Sequence, residues 1–261
     1  MKLGICSHPQ DLAALSELPF DFIEGNVQGF LVPEKPEVDF VPQAAAARAS
    51  LRPLTSANCF LPGDLKVTGP SVDPLRLARY AEMAFARAQS IGLATIVFGS
   101  GGARQVPEGW SQARGFEQFV EVLLVCGPLA QKHGVTLVVE PLNRGECNLI
   151  NTVDEGAEAV RRAGQPHVRL LVDIFHMLRN DETPDAIARH AELITHSHIA
   201  EKAERTQPGA RGDDFRPFLR ALRQARHCRR LALECKWEPD IQTALVPSLS
   251  ALRRQLADAG Y

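Results

Sequence analysis

Four residues able to bind a metal ion follow apolar runs in the second half of the sequence. They are Glu140 after VTLVV, Asp173 after VRLLV, His198 within LITHSHI and Glu234 after RRLAL. Such runs are typical of buried parallel strands, and their intervals suit βαβ steps of about 30 residues. The four side chains should therefore come from successive strands. Three carboxylates and one imidazole form a donor set that suits Mn²⁺, Mg²⁺ or Co²⁺. It is less suited to the zinc of a thiolate-type site.

Eight apolar strand patterns alternate with eight helical patterns along the chain. Strands are predicted at 2–7, 20–26, up to Asn58, 94–98, 135–140, up to Asp173, around His196 and His198, and at 231–235. Helices are predicted at 10–18, 43–51, 75–90, 116–132, 153–163, from 183 onward, 215–226 and 244–257. No linker divides them, so we predict one (β/α)₈ TIM-barrel domain over residues 1–261. Its reactive face should lie at the carboxyl ends of the strands.

Polar loops follow the third and fourth predicted strands. Asn58 offers an amide to a polyol, and Lys66 lies in the glycine- and proline-rich loop that comes next. The loop GSGGARQVPEGW contains four glycines, which allow backbone amides to approach a ligand, and Arg104 adds a positive charge. We therefore expect Asn58, Lys66 and Arg104 to contact the substrate, which leaves room for a phosphate or a carboxylate on it. Segment 33–42, with three prolines, is predicted to be a loop.

The composition excludes several kinds of partner. The 29 Lys and Arg residues nearly balance the 31 Asp and Glu residues, and only 2 Trp and 2 Tyr are present. Neither nucleic acid nor a membrane surface is therefore an expected partner. No apolar stretch reaches the length of a membrane span, and the six cysteines lack CxxC spacing. This pattern predicts a cytoplasmic protein with reduced cysteines.

The phrases VVEPLNR, LVDIFHM, HSHIAE and ALECKW resemble a known family. It is the sugar phosphate isomerase and epimerase superfamily of xylose isomerase-like barrels, and the ketose 3-epimerase and hydroxypyruvate isomerase branches are the most similar. The resemblance is strongest over residues 136–237. It implies a xylose isomerase-like TIM barrel that acts on a small sugar, a sugar phosphate or a hydroxy-keto compound. Because family members are often dimers or tetramers, a homodimer or homotetramer is also implied.

The resemblance assigns one divalent metal to Glu140, Asp173, His198 and Glu234. Mn²⁺ is the usual ion of the family, with Mg²⁺, Co²⁺ and Zn²⁺ as alternatives. A divalent cation stabilises the enediolate that forms when a proton leaves a carbon beside a carbonyl. Epimerisation needs one group to remove that proton and another to return it on the opposite face. Glu140 and Glu234, three strands apart on the ring, are predicted to be this acid/base pair.

The resemblance also implies a set of residues around the substrate. Glu146 and His176 match positions that hold oxygens at the carbonyl end of a sugar, and Arg205 resembles an arginine that binds a substrate hydroxyl. His196 lies two residues before His198 and should face the same interior one layer deeper. We expect His196 to support the site rather than bind the metal.

Three other functions compete with an isomerase. A dehydratase of the inosose dehydratase type shares proton abstraction beside a carbonyl, but it expels a group from the product. A phosphodiesterase related to endonuclease IV would need a histidine-rich cluster and a basic face, whereas this chain has 8 histidines and near-neutral charge. A non-catalytic sugar-binding barrel would bind ligand without hydrogen exchange.

Overall fold

The computed structural model describes residues 1–15 and 17–261 and places eight parallel strands in a closed barrel, in chain order. This arrangement confirms the predicted (β/α)₈ fold. The strands are β1 Lys2–Cys6, β2 Phe22–Asn26, β3 Leu54–Asn58, β4 Thr95–Phe98, β5 Thr136–Val139, β6 Val168–Asp173, β7 Ile194–Ile199 and β8 Arg230–Leu233. Closure comes from pairing of β1 with β8, where Leu3 is opposite Leu231.

The barrel strands are buried on both faces, as parallel strands usually are. All four residues of β4 are buried. Val97, Val138 and Leu171 form a small apolar cluster of their own, separate from the large cluster that includes residues of both strands and helices. Strand residues thus alternate between two layers of packing, which also include buried polar side chains such as Ser56, Thr95 and His196.

The helices connect successive strands. They are α1 Leu12–Leu15, α2 Glu37–Ala49, α3 Pro74–Ser90, α4 Gly101–Arg104, α5 Gln112–Lys132, α6 Val153–Ala163, α7 Ile174–Arg179, α8 Asp185–Arg189, α9 Arg216–Leu222 and α10 Ile241–Asp258. Helix α6 has the bounds predicted from its capping box, in which Thr152 and Glu155 satisfy each other's backbone amides. None of the described helices combines the length and apolarity needed to cross a lipid bilayer.

Segment 33–42 differs from its prediction as a loop, because α2 begins at Glu37 and has Pro42 inside it. Two side-chain contacts stabilise the first turns of α2. Phe40 is buried, and the guanidinium of Arg87 lies 4.8 Å from its ring and 3.1 Å from a carboxylate oxygen of Glu37. Tertiary contacts therefore offset the backbone hydrogen bond that Pro42 cannot donate.

Helix boundaries differ elsewhere by smaller amounts. The helix predicted at 10–18 corresponds to a 3₁₀ turn at Pro9–Asp11 followed by α1, and Ser16 lies outside the described residues. Helix α5 begins four residues earlier than predicted, where Ser111 accepts a hydrogen bond from the Arg114 amide. The predicted loop after β4 contains the short helix α4. These differences leave the order of strands unchanged.

Candidate metal centre and active site

The four metal-binding residues predicted from the sequence meet at one end of the barrel. Glu140 follows β5, Asp173 ends β6, His198 lies near the end of β7, and Glu234 follows β8. Each offers one ligand atom, and these four atoms lie within 4.8 Å of one another. Glu140, Asp173 and His198 are buried, and Glu234 is partly buried. The protein thus has a candidate metal centre with the donor set expected from the sequence.

His198 is the central member of this group. Its Nδ1 lies 3.1 Å from Oε1 of Glu140 and 3.3 Å from Oε2 of Glu234. Its Nε2 lies on the other side of the ring, 2.7 Å from Oε1 of Glu24 on β2. Burial opposes protonation, yet Glu24, Glu234 and Glu140 together raise the pKa of His198 well above its ordinary value.

Glu24 is a buried carboxylate with several donors around it. Oε2 accepts a hydrogen bond from Ser56 Oγ at 2.7 Å and lies 2.6 Å from Nε2 of His196. Burial alone would raise the pKa of Glu24, but His198 and His196 lower it well below its usual range. His196 therefore contacts Glu24 and is absent from the metal-binding group, in keeping with the supporting position expected for it.

Glu234 is held by a residue at the end of another strand and by a residue of the loop after β7. Asn58, at the end of β3, donates to its Oε1 at 2.7 Å. Arg205 donates from Nη2 to Oε2 and, at 3.1 Å, from Nε to the Glu234 carbonyl. Although burial would raise it, the pKa of Glu234 falls to about 2 because His198 and Arg205 favour the carboxylate. Asn58 and Arg205, both predicted to contact substrate, thus lie in the site.

For Glu140 and Asp173, the surrounding groups do not offset the effect of burial on the pKa. Burial raises the pKa of Glu140, although a hydrogen bond from His198 opposes the change. Burial likewise raises the pKa of Asp173 to about 6, against the attraction of Arg205. The carboxylate of Asp173 accepts the Phe175 amide through Oδ1. Its Oδ2 has no hydrogen bond from the described residues, although Nε2 of His176 lies 3.4 Å away.

The predicted substrate residues Glu146 and His176 share one neighbour. Asn143 donates from Nδ2 to Oε1 of Glu146 at 2.8 Å, and the same nitrogen lies 2.9 Å from Nδ1 of His176. Arg205 reaches Oε1 of Glu146 at 3.4 Å. Burial lowers the pKa of His176. The structure therefore brings Glu146, His176 and Arg205 together beside the metal-binding group.

Arg104 corrects one expectation from the sequence. Its side chain is fully buried, at 0% exposure, and its guanidinium donates to the carbonyls of Phe98, Glu140 and Ile150. It cannot contact a ligand from this position, because helix α4 turns it inward beneath the loop. Lys66 donates to the Gly102 carbonyl at 2.8 Å and is absent from the wall of the cavity over the four residues. A substrate contact for Lys66 stays a prediction.

Gly99, directly after β4, contributes space to the site. A Cβ atom at this position would lie 2.2 Å from Oε2 of Glu140, so any other residue would displace that carboxylate. The sequence showed Gly99 only as one of several loop glycines. Glu24 was also not predicted to be a site residue, although its strand-end position and its alternation with Asn26 were visible signals.

Two cavities at this end of the barrel border members of the four-residue group. One of about 260 Å³ is lined by Glu140, His176, Arg205 and Glu234 among others. A second, of about 390 Å³, shares Glu234 and has Cys59 in its wall. Burial raises the pKa of Cys59 to about 12, so its thiol stays protonated. Together the cavities can admit a small ligand beside the four residues.

The residues present fit a divalent cation. Three carboxylates and one imidazole converge, and the buried Oδ2 of Asp173 accepts no hydrogen bond from residues 1–15 or 17–261. A buried carboxylate oxygen without a partner is costly unless a cation or donor satisfies it. Glu24 lies beside Nε2 of His198, and Nδ1 faces the carboxylates of the group. Metal-binding histidines usually have such a partner on the ring nitrogen that does not bind the metal.

Residues 12–255 match the family model described as the xylose isomerase-like TIM barrel. The chain therefore belongs to this family. It is 31% identical over 102 residues to 3-dehydro-D-guloside 4-epimerase of Escherichia coli, covering 39% of this chain and 38% of that one. It is 33% identical over 99 residues to D-psicose 3-epimerase of Agrobacterium fabrum, covering 38% and 34%. The matches thus span less than two fifths of either relative.

Solved structures resemble the whole chain. The structure of D-psicose 3-epimerase in the presence of D-fructose has a TM-score of 0.79 at 20% identity and covers 99% of this chain and 96% of that one. The IolI protein with a binding zinc atom has a TM-score of 0.72 at 15% identity, with 99% and 98% covered. At these identities the likeness concerns the fold alone.

Proposed function

We propose that the protein is a divalent-metal-dependent epimerase or isomerase of a small sugar or related hydroxy-keto compound. The observation that carries this proposal is the convergence of Glu140, Asp173, His198 and Glu234 beside a cavity of about 260 Å³. The epimerase names of the two partial relatives support a ketose or keto sugar as the substrate class.

Glu140 and Glu234 are the proposed acid/base pair. They follow β5 and β8, so they approach a bound substrate from different parts of the ring. One would remove a proton from the carbon beside the carbonyl, and the other would return a proton on the opposite face. When bound by the four residues, a divalent cation would withdraw charge from the carbonyl and make that proton more acidic.

Other residues of the chain would orient the pair and the substrate. Asn58 and Arg205 each bond a different oxygen of Glu234 and so limit its rotation. Glu146 and His176 would hold oxygens at the carbonyl end, since both lie beside the candidate metal centre and both border the cavity. Arg205, on the same wall, would bind a hydroxyl.

Hydrogen exchange with solvent tests this proposal. The metal-loaded protein is incubated in D₂O with ketoses, their phosphates, keto sugars and hydroxy-keto acids, and products are followed by NMR beside a metal-stripped control. We expect metal-dependent deuterium incorporation next to the carbonyl, together with an epimer or isomer. Loss of water from the product would replace this proposal with a dehydratase. Absence of exchange over the whole panel would contradict it.

A further inference from the structure

Glu24 is a buried charge that the proposed proton transfers do not use. Its side chain has 0% exposure in β2, one layer below the metal-binding group. An unpaired carboxylate in such a place would be strongly destabilising. The surrounding residues instead give it two histidines, a hydroxyl and a thiol as neighbours. These neighbours stabilise the buried carboxylate of Glu24.

The contacts of Glu24 bear on which nitrogen of His198 can bind a metal. Oε1 lies 2.7 Å from Nε2 of His198, in a close ion pair rather than an aligned hydrogen bond. A carboxylate is only an acceptor, so Nε2 must carry a hydrogen, because two lone pairs at this distance would repel each other. Nδ1 faces Glu140 and Glu234, at 3.1 and 3.3 Å, and donates to Oε1 of Glu140. A bound ion would take the place of the hydrogen on Nδ1, while Nε2 would keep its own.

Glu24 is itself held in place on its other oxygen. Oε2 accepts from Ser56 at 2.7 Å and lies 2.6 Å from Nε2 of His196. Ser56 belongs to β3 and His196 to β7, so three strands fix the carboxylate. The ring of His198 is thereby kept in one orientation before any ligand binds.

We propose that Glu24 is a positioning residue for the metal centre: it holds His198 as the Nε2-protonated tautomer and directs Nδ1 toward the ion. The inference rests on the metal centre of the proposed function. It adds to that function a residue on β2, in the half of the barrel that supplies none of the four ligands. Groups behind a metal-binding histidine commonly change metal affinity by about 10- to 100-fold.

A second metal ion is the competing explanation of the same contacts. Cys6, Glu24 and His198 also offer three ligand atoms within 4.8 Å of one another. However, both oxygens of Glu24 already face donors, namely the two histidines, the Ser56 hydroxyl and the Cys6 thiol at 3.5 Å. An ion there would have to displace these donors. The contacts therefore favour a positioning carboxylate over a second binding site.

Metal titration of the full chain tests the proposal. The protein is stripped with a chelator and titrated with Co²⁺, which is followed by visible absorption and calorimetry. Glu24→Gln keeps the size of the side chain but replaces one acceptor oxygen with a donor, so it cannot accept from both histidines. His196→Gln is the matched control, because it alters the same buried layer, keeps an N–H donor for Oε2 of Glu24, and leaves the contact between Glu24 and His198 in place.

We expect wild type to bind one Co²⁺ per chain and Glu24→Gln to bind it about 10- to 100-fold more weakly. We expect His196→Gln to stay within about threefold of wild type even if its melting temperature falls, since the carboxylate behind His198 remains. Equal affinity in Glu24→Gln and wild type would overturn the proposal. So would equal losses in both variants, or two Co²⁺ ions per wild-type chain.

A second measurement does not depend on the folding of Glu24→Gln. In ¹⁵N-labelled wild type loaded with Zn²⁺, the ring of His198 should show a proton on Nε2 and none on Nδ1. A proton on Nδ1 would refute the assignment. The outcomes also separate this inference from the proposed function: an inactive protein with the expected Co²⁺ affinities would contradict only the function. A wild type that binds no Co²⁺ would contradict both.

Discussion

The two halves of the barrel contribute differently to the candidate metal centre. Strands β5 to β8, with the residues directly after them, supply all four members of the candidate metal centre, Glu140, Asp173, His198 and Glu234. Strands β1 to β4 supply none of them. The first half instead provides groups that contact these ligands from behind or beside them. The comparison indicates that ligand identity and ligand position are determined by different parts of the chain.

Each contribution of the first half acts on a particular ligand. Glu24 lies behind His198, Asn58 bonds Glu234, and Gly99 leaves space for Glu140. Arg104, from the loop after β4, donates to the Glu140 carbonyl. Asp173 and Glu234 also have partners in their own half, the Phe175 amide and Arg205. A substitution in either half should therefore impair the centre, but through different measurable properties.

The largest effect should come from the proposed acid/base pair in the second half. Replacing either carboxylate, in Glu140→Gln or Glu234→Gln, removes a proton acceptor and a charged metal ligand together. We expect the deuterium exchange rate and kcat/KM to fall by at least about 10³-fold, since acid/base residues alone contribute about 10² to 10⁴. The assay is the same NMR exchange measurement with metal-saturated protein.

Glu192→Gln is a suitable control for these variants. Glu192 forms an exposed ion pair with Arg161 and lies just before β7, at the opposite end of the strand from His198. Its exchange rate should equal that of wild type. Full activity in Glu140→Gln would show that Glu140 takes no part in proton transfer, and the proposed function would then be wrong.

The next largest effect should come from Gly99→Ala in the first half. The added Cβ would meet Oε2 of Glu140 at 2.2 Å, so the carboxylate must move away from its present position. We expect about 10- to 100-fold weaker activity, because displacements of about 1 Å in a catalytic group have effects of this size. Circular dichroism should show that the fold is kept.

Gly29→Ala provides the matched comparison for Gly99→Ala. A Cβ at Gly29 would make only ordinary contacts, the nearest at 3.6 Å from Pro9. Its activity should remain close to that of wild type. If Gly99→Ala were equally active, the first half would not restrict the position of Glu140, and the contrast between the halves would be weakened.

The second half could be predicted well from the sequence. Each of its ligands ends or follows an apolar run, and strand ends in this fold meet at one face whatever the details of packing. The length and alternation of these runs depend on local sequence. This explains why the four predicted residues meet at one face and why α6 has its predicted bounds.

The contributions of the first half depend on distances between strands, which a sequence does not contain. Gly99 is important only because Glu140 lies beside it, and Glu24 only because His198 lies above it. Arg104 was assigned to the substrate since it follows a strand in a glycine-rich loop. Helix α4 and the left-handed conformation of Ser100 before it, with φ of 42°, turn the guanidinium inward instead.

Arg104→Lys should have the smallest effect of these four substitutions, and it should act on stability rather than on substrate binding. The guanidinium reaches three carbonyls from two nitrogens, Nη1 to Phe98 and Nη2 to Glu140 and Ile150, whereas a lysine has a single nitrogen, so buried acceptors would lose their partners. We expect the free energy of unfolding to fall by about 2 kcal/mol, with KM unchanged. Urea unfolding and steady-state kinetics measure the two quantities.

Arg114→Lys is the control. Arg114 forms an exposed pair with Glu121, so this variant should change stability by less than about 0.5 kcal/mol. A higher KM at full stability would instead place Arg104 at the substrate, and it would show that the first half binds ligand directly.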